Sequence, residues 1–520
     1  MTTRKLPSQP SLHQLRKQAK ELTRAFRAGD IEARDRIASQ AKKAADELLS
    51  GQSRGSLSVA QLTIAREYGF ESWPKLKFFV EAQAMTFEQK LKSFVSAATN
   101  NRLYYAQFLL QHEPRLATHD LSTACLVGQY ASVERAVEKN PAVVSIKTGL
   151  NDWEPLLYVC FSFFHAQSPE TAENLLKIAH LLIANGADVN TSYAHSLEDV
   201  SADTRIPALY GPSGATNFPE LAEILLKAGA NPDERESLYH STEFRDRKCM
   251  YLLLEYGANA KKWGALHHIL DYDDLEGVEI LLKAGADPNC QYENLGTALH
   301  HAIVRGRGLT FIERLLFYGA DPLAKNPQGH TAYETAIRFG HCEAKSFFEH
   351  RFGLQKDLSQ PETFVAACAA PDPKTAKEIL ARDPEILKRL PAGDLRLVAD
   401  FAALGKVESV LLMLDVGFEI NQRGEWGGSV LQQAAWHGQA EMVDLLIERG
   451  ADLEMLNNYQ GTALGATIFA TEYLRVPESD TRYIAIAESL LEAGAKLLPH
   501  HLTMGSESMT EFLKTYSSDQ

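Results

Sequence analysis

Several features that mark membrane, secreted and metal-binding proteins are absent from this sequence of 520 residues. No run approaches the roughly 18 consecutive apolar residues that a membrane-spanning helix needs. The six cysteines are scattered and none forms a CxxC pair, so we expect neither a disulfide framework nor a thiolate zinc site. The first residues lead into proline and polar side chains, so we expect no secretory signal and a cytoplasmic location.

Motifs of the common enzyme classes are also missing. The sequence contains no phosphate-binding loop, no GxGxxG or GxSxG turn and no HExxH helix. Residues 305–308 are rich in glycine, but they lie between two predicted helices and indicate a turn. We therefore expect no enzyme activity and no cofactor.

Positive charge is scarce over most of the chain. The whole sequence holds 53 Lys and Arg against 67 Asp and Glu, a net charge of −14. Residues 1–90 hold 16 basic and 10 acidic residues, a local charge of +6, which leaves −20 for the remainder. Because nucleic-acid binding relies on clustered Lys and Arg, the acidic body is not expected to bind nucleic acid.

One phrase recurs along the chain, a pair of leucines followed by Gly-Ala and then Asp or Asn. Its glycines are Gly186, Gly229, Gly257, Gly285, Gly319 and Gly450; the copy at Gly494 ends in Lys496, and a looser copy lies at Gly417. The phrase predicts a helix whose leucines face a core and which ends at glycine, because the residue past a helix end is often left-handed. Intervals between neighbouring copies run from 28 to 44 residues, except for one gap of 98 that equals about three repeats.

The first half of each repeat carries a second signature. Residues 296–300 read Gly-Thr-Ala-Leu-His, and similar segments begin at Gly329, Gly428 and Gly461. These segments resemble ankyrin repeats, with Thr-Ala-Leu-His in place of the family's Thr-Pro-Leu-His. The resemblance implies an all-α ankyrin-repeat solenoid of about twelve helix-turn-helix units with β-turn fingers, over roughly residues 86–498. Each unit would bury its apolar face only against its neighbours.

The residues before the repeats predict a small helical cap module. Ser11 is expected to begin an amphipathic helix that ends near Gly29, and residues 44–49 a second helical segment before the break at 51–56. Residues 65–77 resemble the helical head module of certain bacterial ankyrin-repeat proteins, and Ser72 with Pro74 would begin the helix that leads into the repeats. A cap over the apolar end of the stack is the simplest role. The alternative is a basic surface that contacts a partner.

The predicted domains are therefore a basic head at 1–84, the repeats at 85–498 and a C-terminal tail at 499–520. Two insertions, at 191–219 and 469–483, interrupt the repeats. Insertions in such arrays map to loops on one face. Each insertion could be a binding loop or a surface loop without a role in binding, and both alternatives are open.

Histidines form columns when the repeats are aligned. In the family the first column, with His267 and His300, bonds locally within its own repeat, so these two are expected to be structural. The next column faces the concave groove in the ankyrin plan and includes Tyr158, His240, His268, His301 and Gln433. Stacked helices lie about 8–10 Å apart whereas zinc ligands lie about 2.0–2.1 Å from the ion, so a shared metal, even with Asp271, is disfavoured. A pH-sensitive row that contacts a partner and ordinary polar filling both remain open.

Aromatic residues at the predicted finger tips are the second set of candidates. Trp153, Tyr292, Trp426 and Tyr459 occupy these positions. Trp and Tyr supply large contact areas at low entropic cost, as interface hot spots do. Trp153 and Trp426 have the alternative of packing against their own helices.

The sequence thus predicts a monomeric, non-enzymatic scaffold that binds another protein along an acidic concave groove and the finger tips. A basic or extended partner suits that groove. One alternative is a metal-dependent or hydrolytic enzyme that uses the groove histidines. The other is contact of the basic head with nucleic acid or an anionic surface.

Overall fold

The computed structural model describes residues 4–7, 10–41, 56–194, 205–292, 294–473 and 481–517. The predicted helical segment 44–49 and nearly all of the break at 51–56 lie outside the described residues, as do parts of both insertions. The chain divides into two compact units. The terminal unit contains residues 1–84, 337–340 and 355–520, and the central unit contains residues 85–336 and 341–354. The predicted partition into head, repeats and tail stays a prediction.

Residues 85–354 form successive pairs of antiparallel helices. The fourth pair begins with a π-helical turn instead of a first α-helix. In chain order the pairs are α5 (Phe87–Thr99) with α6 (Leu103–His112), α7 (Leu121–Leu126) with α8 (Tyr130–Lys139), α9 (Pro155–Cys160) with α10 (Pro169–Ala184), the π turn (Gly211–Ala215) with α11 (Pro219–Lys227), α12 (Ser237–Ser241) with α13 (Lys248–Glu255), α14 (Ala265–Ile269) with α15 (Leu275–Lys283), α16 (Ala298–Val304) with α17 (Leu309–Phe317), and α18 (Ala332–Arg338) with α19 (Cys342–Phe352).

The terminal unit combines the head, four further pairs and a C-terminal helix. The head contains α1 (Leu12–Arg27), α2 (Ile31–Gln40), α3 (Ser56–Glu67) and α4 (Trp73–Ala82). The pairs are α20 (Gln360–Ala369) with α21 (Pro373–Arg382), α22 (Ala392–Ala403) with α23 (Val407–Asp415), α24 (Val430–Trp436) with α25 (Ala440–Glu448), and α26 (Ala463–Tyr473) with α27 (Arg482–Glu492), followed by α28 (Glu507–Ser517).

Strand structure is confined, in the described part of the chain, to one short ribbon and to the fingers. Strands β1 (Ser192–Ala194) and β2 (Arg205–Pro207) pair antiparallel within the first insertion, with Tyr193 opposite Ile206. Finger hairpins are closed by isolated bridges such as Arg423 with Ser429. No helix among the described residues is both long and apolar enough to span a membrane.

The helix ends follow the glycine signal of the sequence. Gly257 has φ of +100° and Gly285 has φ of +92°, a region that side chains with a Cβ rarely adopt. The residue after each glycine donates its N–H back to the helix: Ala258 to the carbonyl of Leu253 at 2.9 Å, and Ala286 to that of Leu281 at 3.0 Å. These bonds satisfy carbonyls that the helix leaves open.

The head is part of the terminal unit's apolar core. Leu15, Ile64 and Leu76 of the head belong to the same buried cluster as Leu490 of α27 and Phe512 of α28. Half of the predicted tail, residues 507–517, forms the helix α28. The spacing of Met509, Phe512, Leu513 and Tyr516 is that of one helix face and was the available signal.

Buried ion pairs join the head to the last helices of the same unit. The carboxylate of Glu511 is fully buried and accepts two hydrogen bonds from Arg16, at 2.6 and 2.7 Å. Glu488, also buried, accepts from the backbone N–H of Leu57 at 3.2 Å and lies 3.4 Å from Arg27. The head therefore packs against the last helices of this unit, and its role as a cap stays a prediction.

Candidate partner-binding site

The first helices of the central unit carry a row of aromatic and imidazole rings. His240 lies between two carboxylates: its Nδ1 donates to Glu243 at 2.6 Å, and its Nε2 lies 3.3 Å from Glu236. The ring of His268 stacks on Tyr239 with centroids 3.8 Å apart. Nδ1 of His268 lies 2.7 Å from the hydroxyl of Thr242. Each ring is therefore held by partners from its own or the preceding repeat.

His301 is the most enclosed member of the row. Its side chain is 2% exposed, and its Nε2 donates to Asp271 at 2.8 Å. Asp271 also accepts from Arg305 at 2.7 Å. Burial opposes ionisation of Asp271, but the hydrogen bond with His301 and the charge of Arg305 outweigh it and lower the pKa of this carboxyl. The hydrogen bond between His301 and Asp271 therefore joins adjacent repeats.

The environments of the row change the proton affinities of its members in opposite directions. Burial disfavours the charged form of His240, but hydrogen bonds to Glu236 and Glu243 outweigh it and raise its pKa to about 9. Burial lowers the pKa of His268. Burial, with the nearby His301, lowers the pKa of His267 to about 4. His240 therefore carries a charge at neutral pH while His267 does not.

Both histidines of the first column form hydrogen bonds within the repeats, but only His300 has the expected bond to a threonine of its own repeat. Nδ1 of His300 lies 2.7 Å from the hydroxyl of Thr297, and its Nε2 donates to the carbonyl of His330 in the next finger at 2.9 Å. His267 likewise donates to the carbonyl of Gly296 at 3.0 Å. These bonds fasten each helix to the following finger.

The described residues contain no group of three or more His, Cys, Asp or Glu side chains placed to hold a metal ion. His240 and His268 have ring centroids 6.1 Å apart and use their nitrogens in other contacts. The enzyme alternative built on these histidines and Asp271 thus has no ligand cluster in this part of the chain.

Three of the residues predicted to contact a partner are buried, namely Tyr158, His301 and Gln433. The Tyr158 hydroxyl donates to the carbonyl of Thr148 at 2.7 Å, and the Gln433 amide donates to the carbonyl of Glu425 at 2.9 Å. These polar groups hold their own fingers in place. Their side chains are not available for direct contact in this structure.

The finger residues of the central unit pack against neighbouring rings. Trp153 lies 4.4 Å from Tyr193 of the first insertion and 5.3 Å from Tyr158, between ring centroids. Tyr292 stacks on His267 at 5.2 Å, and a Cβ at Gly264 would lie only 2.3 Å from the Tyr292 ring. Both aromatic side chains are half-buried. For Trp153 the packing alternative is therefore the geometry observed.

The terminal unit presents its aromatic residues differently. Trp426 lies in the finger before α24 and has φ of +43°, a strained value for a bulky residue. Its ring lies 6.1 Å from Trp436 at the end of α24, and Trp436 lies 6.0 Å from Phe469 on α26. Phe469 is 44% exposed, and Tyr459 in the next finger is 81% exposed. We call Trp426, Trp436, Tyr459 and Phe469 the aromatic surface.

Two of these four residues were outside the predicted site. Trp436 follows Gln433 by three residues on α24, and Phe469 holds the equivalent position on α26. A column three residues beyond the groove column was the signal that would have found both. Trp263, 42% exposed in its finger with φ of +62°, was also missed, although it precedes a glycine as Trp426 does.

Comparisons with known proteins identify the repeats. Family models for ankyrin repeats match residues 213–292, 281–336 and 426–458. The human ASB11 ankyrin repeat domain is a similar solved structure, at 21% identity and a TM-score of 0.33, over 42% of this chain and 90% of that one. A comparison with curated proteins gives no match. The predicted fold class is confirmed: the chain is all-α and contains ankyrin repeats.

Proposed function

We propose that the chain is a non-enzymatic protein–protein interaction scaffold whose principal contact is the aromatic surface. Ankyrin repeats are generally protein-interaction modules, and no catalytic domain is evident. The inference from fold to binding is an analogy, so the particular site is argued from its own side chains.

The observation that carries this proposal is the exposure of the aromatic surface. Phe469 and Tyr459 present apolar rings to solvent, and Trp426 keeps a strained backbone beside them. Trp and Tyr dominate binding energy at protein interfaces because they bury large areas with few rotatable bonds. In the central unit, by contrast, the histidines are engaged in hydrogen bonds.

The remaining predicted contacts have secondary places in this proposal. Trp153, His240, His268 and Tyr292 are half-buried in the central unit and are proposed as secondary contacts of that unit by itself. On the basis of the net charge of the chain, we also propose that the groove is acidic and that the partner is basic or extended. A monomeric state, a cytoplasmic location and a bacterial source with its head module are retained from the sequence.

The basic head is the second candidate contact retained from the sequence, for nucleic acid or an anionic surface. Arg16 and Arg27 lie against Glu511 and Glu488, and Arg36 binds Glu67 through two hydrogen bonds of 3.0 Å. Cations that are already paired contribute little to phosphate binding. We therefore rank this surface below the aromatic one.

Crosslinked capture from the native host tests the proposed site. The tagged chain is compared with a Trp436→Ala/Tyr459→Ala variant by quantitative mass spectrometry. We expect recovery of the specific partner to fall at least about tenfold, as for loss of interface hot spots.

A matched control is Tyr251→Ala/Phe317→Ala, which removes two exposed aromatic side chains from second helices of the central unit. It should leave recovery unchanged. Equal recovery with all three proteins, each with an unchanged circular dichroism spectrum, would move the contact away from the aromatic surface.

A further inference from the structure

Carboxylates lie beside the aromatic surface. Glu425 directly precedes Trp426 in the finger, is exposed, and forms no ion pair with any residue that the structure describes. Asp400 lies on α22, the first helix of the preceding pair, where Arg396 donates to it at 3.3 Å. The finger is close to α22, since a Cβ at Gly424 would lie 2.9 Å from that of Ala399. Aromatic faces and two carboxylates thus share one region.

The nearby cations do not neutralise both carboxylates. Arg338 pairs with Asp394, and Arg423 donates to the backbone carbonyls of Gly427 and Leu456. Arg396 pairs with Asp400 alone. Among the residues that the structure describes, no cation pairs with Glu425.

We infer that the aromatic surface receives an arginine side chain of the partner, stacked on Trp436 and Phe469 with Asp400 and Glu425 as counter-charges. This inference rests on the proposed function. A planar guanidinium stacks on aromatic rings and pairs with carboxylates, whereas an ammonium is compact and strongly hydrated. A purely apolar side chain in the same place would desolvate the carboxylates without compensation.

The pKa of Asp400 is consistent with a carboxylate that could bind a further cation. Burial, with the charge of Glu425, raises its pKa to about 6 against the opposing effects of Arg396 and Arg338. A bound guanidinium would be attracted by ionised Asp400 and much less by the neutral acid. Arginine binding should therefore strengthen as pH rises from 5 to 7.

The test compares two small probes that share a shape but differ in charge, N-acetyl-arginine amide and N-acetyl-citrulline amide. Each is titrated into the full chain while the indole N–H signals of Trp426 and Trp436 are followed by NMR, assigned with Trp→Phe variants. We expect the arginine probe to bind at least about fivefold more tightly than the citrulline probe. Phe469→Leu and Asp400→Asn should each weaken it, and Asp400→Asn should abolish the dependence on pH between 5 and 7. Tyr251→Leu serves as the control and should bind as the wild type does.

Equal binding of the two probes, or no shift with arginine, would overturn the inference. If partner capture still depended on Trp436 and Tyr459, the proposed function would survive that result. Conversely, a preference for arginine together with unchanged partner capture by the aromatic variant would overturn the proposed function and leave the cation site. The two failures are therefore distinguishable.

Discussion

The first helices of the repeats carry different kinds of side chain in the two units. In the central unit the inner-helix columns hold His240, Glu243, His268 and Asp271, whose side chains form hydrogen bonds inside the unit. In the terminal unit the positions equivalent to Glu243 and Asp271 hold Trp436, which is half-buried, and Phe469, which is exposed. A face whose polar groups already have hydrogen-bond partners gains little when another protein covers it. Covering an exposed aromatic face lowers the free energy, because apolar area is removed from water.

The largest expected effect separates the stability of the two units. Glu511→Ala removes a buried carboxylate that pairs with Arg16 and the buried Lys77, so we expect a loss of about 3 kcal/mol in the stability of the terminal unit. Hydrogen exchange should then accelerate in residues 12–27 and 507–517 and remain unchanged in the central unit. Lys514→Ala, an exposed change on the same helix, is the control. Similar exchange in both variants would mean that the ion pair does not hold the head.

A smaller effect tests whether the histidine row is structural. His301→Ala removes the buried hydrogen bond to Asp271 and leaves a small cavity, which should cost the central unit about 2 kcal/mol in urea denaturation. Partner capture should be unaffected, since His301 does not reach the surface. His350→Ala alters an exposed histidine in the same unit and should be neutral. Loss of capture without loss of stability would instead make this row part of the contact.

The charge on His240 gives a pH test of the same face. Its pKa of about 9 in the folded chain exceeds the ordinary value of 6.5, so its stabilising effect is complete below about pH 6.5 and is lost as pH rises through 9. Solvent screening reduces this effect to about 1 kcal/mol. Between pH 6 and 10 the melting temperature should fall more steeply with pH for the wild type than for His240→Gln. Parallel curves would show that the Glu236 and Glu243 contacts do not hold the proton.

The smallest effect concerns the strained tryptophans. Trp263 has φ of +62° and is 42% exposed, so Trp263→Asn should relieve more strain than the packing it loses. We expect a gain of about 0.5 kcal/mol in urea denaturation. Trp153→Asn, at a finger residue packed on Tyr193, should be destabilising instead. A loss of stability in Trp263→Asn would show that this ring packs as Trp153 does.

Much of the repeat architecture could be predicted because its signals are local. The Gly-Ala after a leucine pair ends a helix wherever it occurs, as Gly257 and Gly285 do, and Thr297 with His300 marks the start of the next. The aromatic surface was harder to find. Trp426 and Tyr459 were predicted from their finger positions, but the role of Trp436 depends on Phe469, which lies beside it only in the next repeat.

The burial of Tyr158, His301 and Gln433 could not be predicted for a related reason. Alignment of repeats assigns Tyr158, His301 and Gln433 to the groove column, but it does not show that their polar atoms turn toward Thr148, Asp271 and Glu425. Which way a side chain turns depends on the hydrogen-bond partners that surround it. Those partners come from a finger or from an adjacent repeat.

The sequence by itself determined the helix pairs, their glycine ends and the ankyrin character of the chain, because each depends on residues within one repeat. The tertiary structure alone decided where the head packs. Arg16 and Glu511 are 495 positions apart and share no spacing pattern, yet they form one buried ion pair. It also decided which inner face is satisfied and which is exposed, since both outcomes depend on contacts between repeats that periodicity does not record.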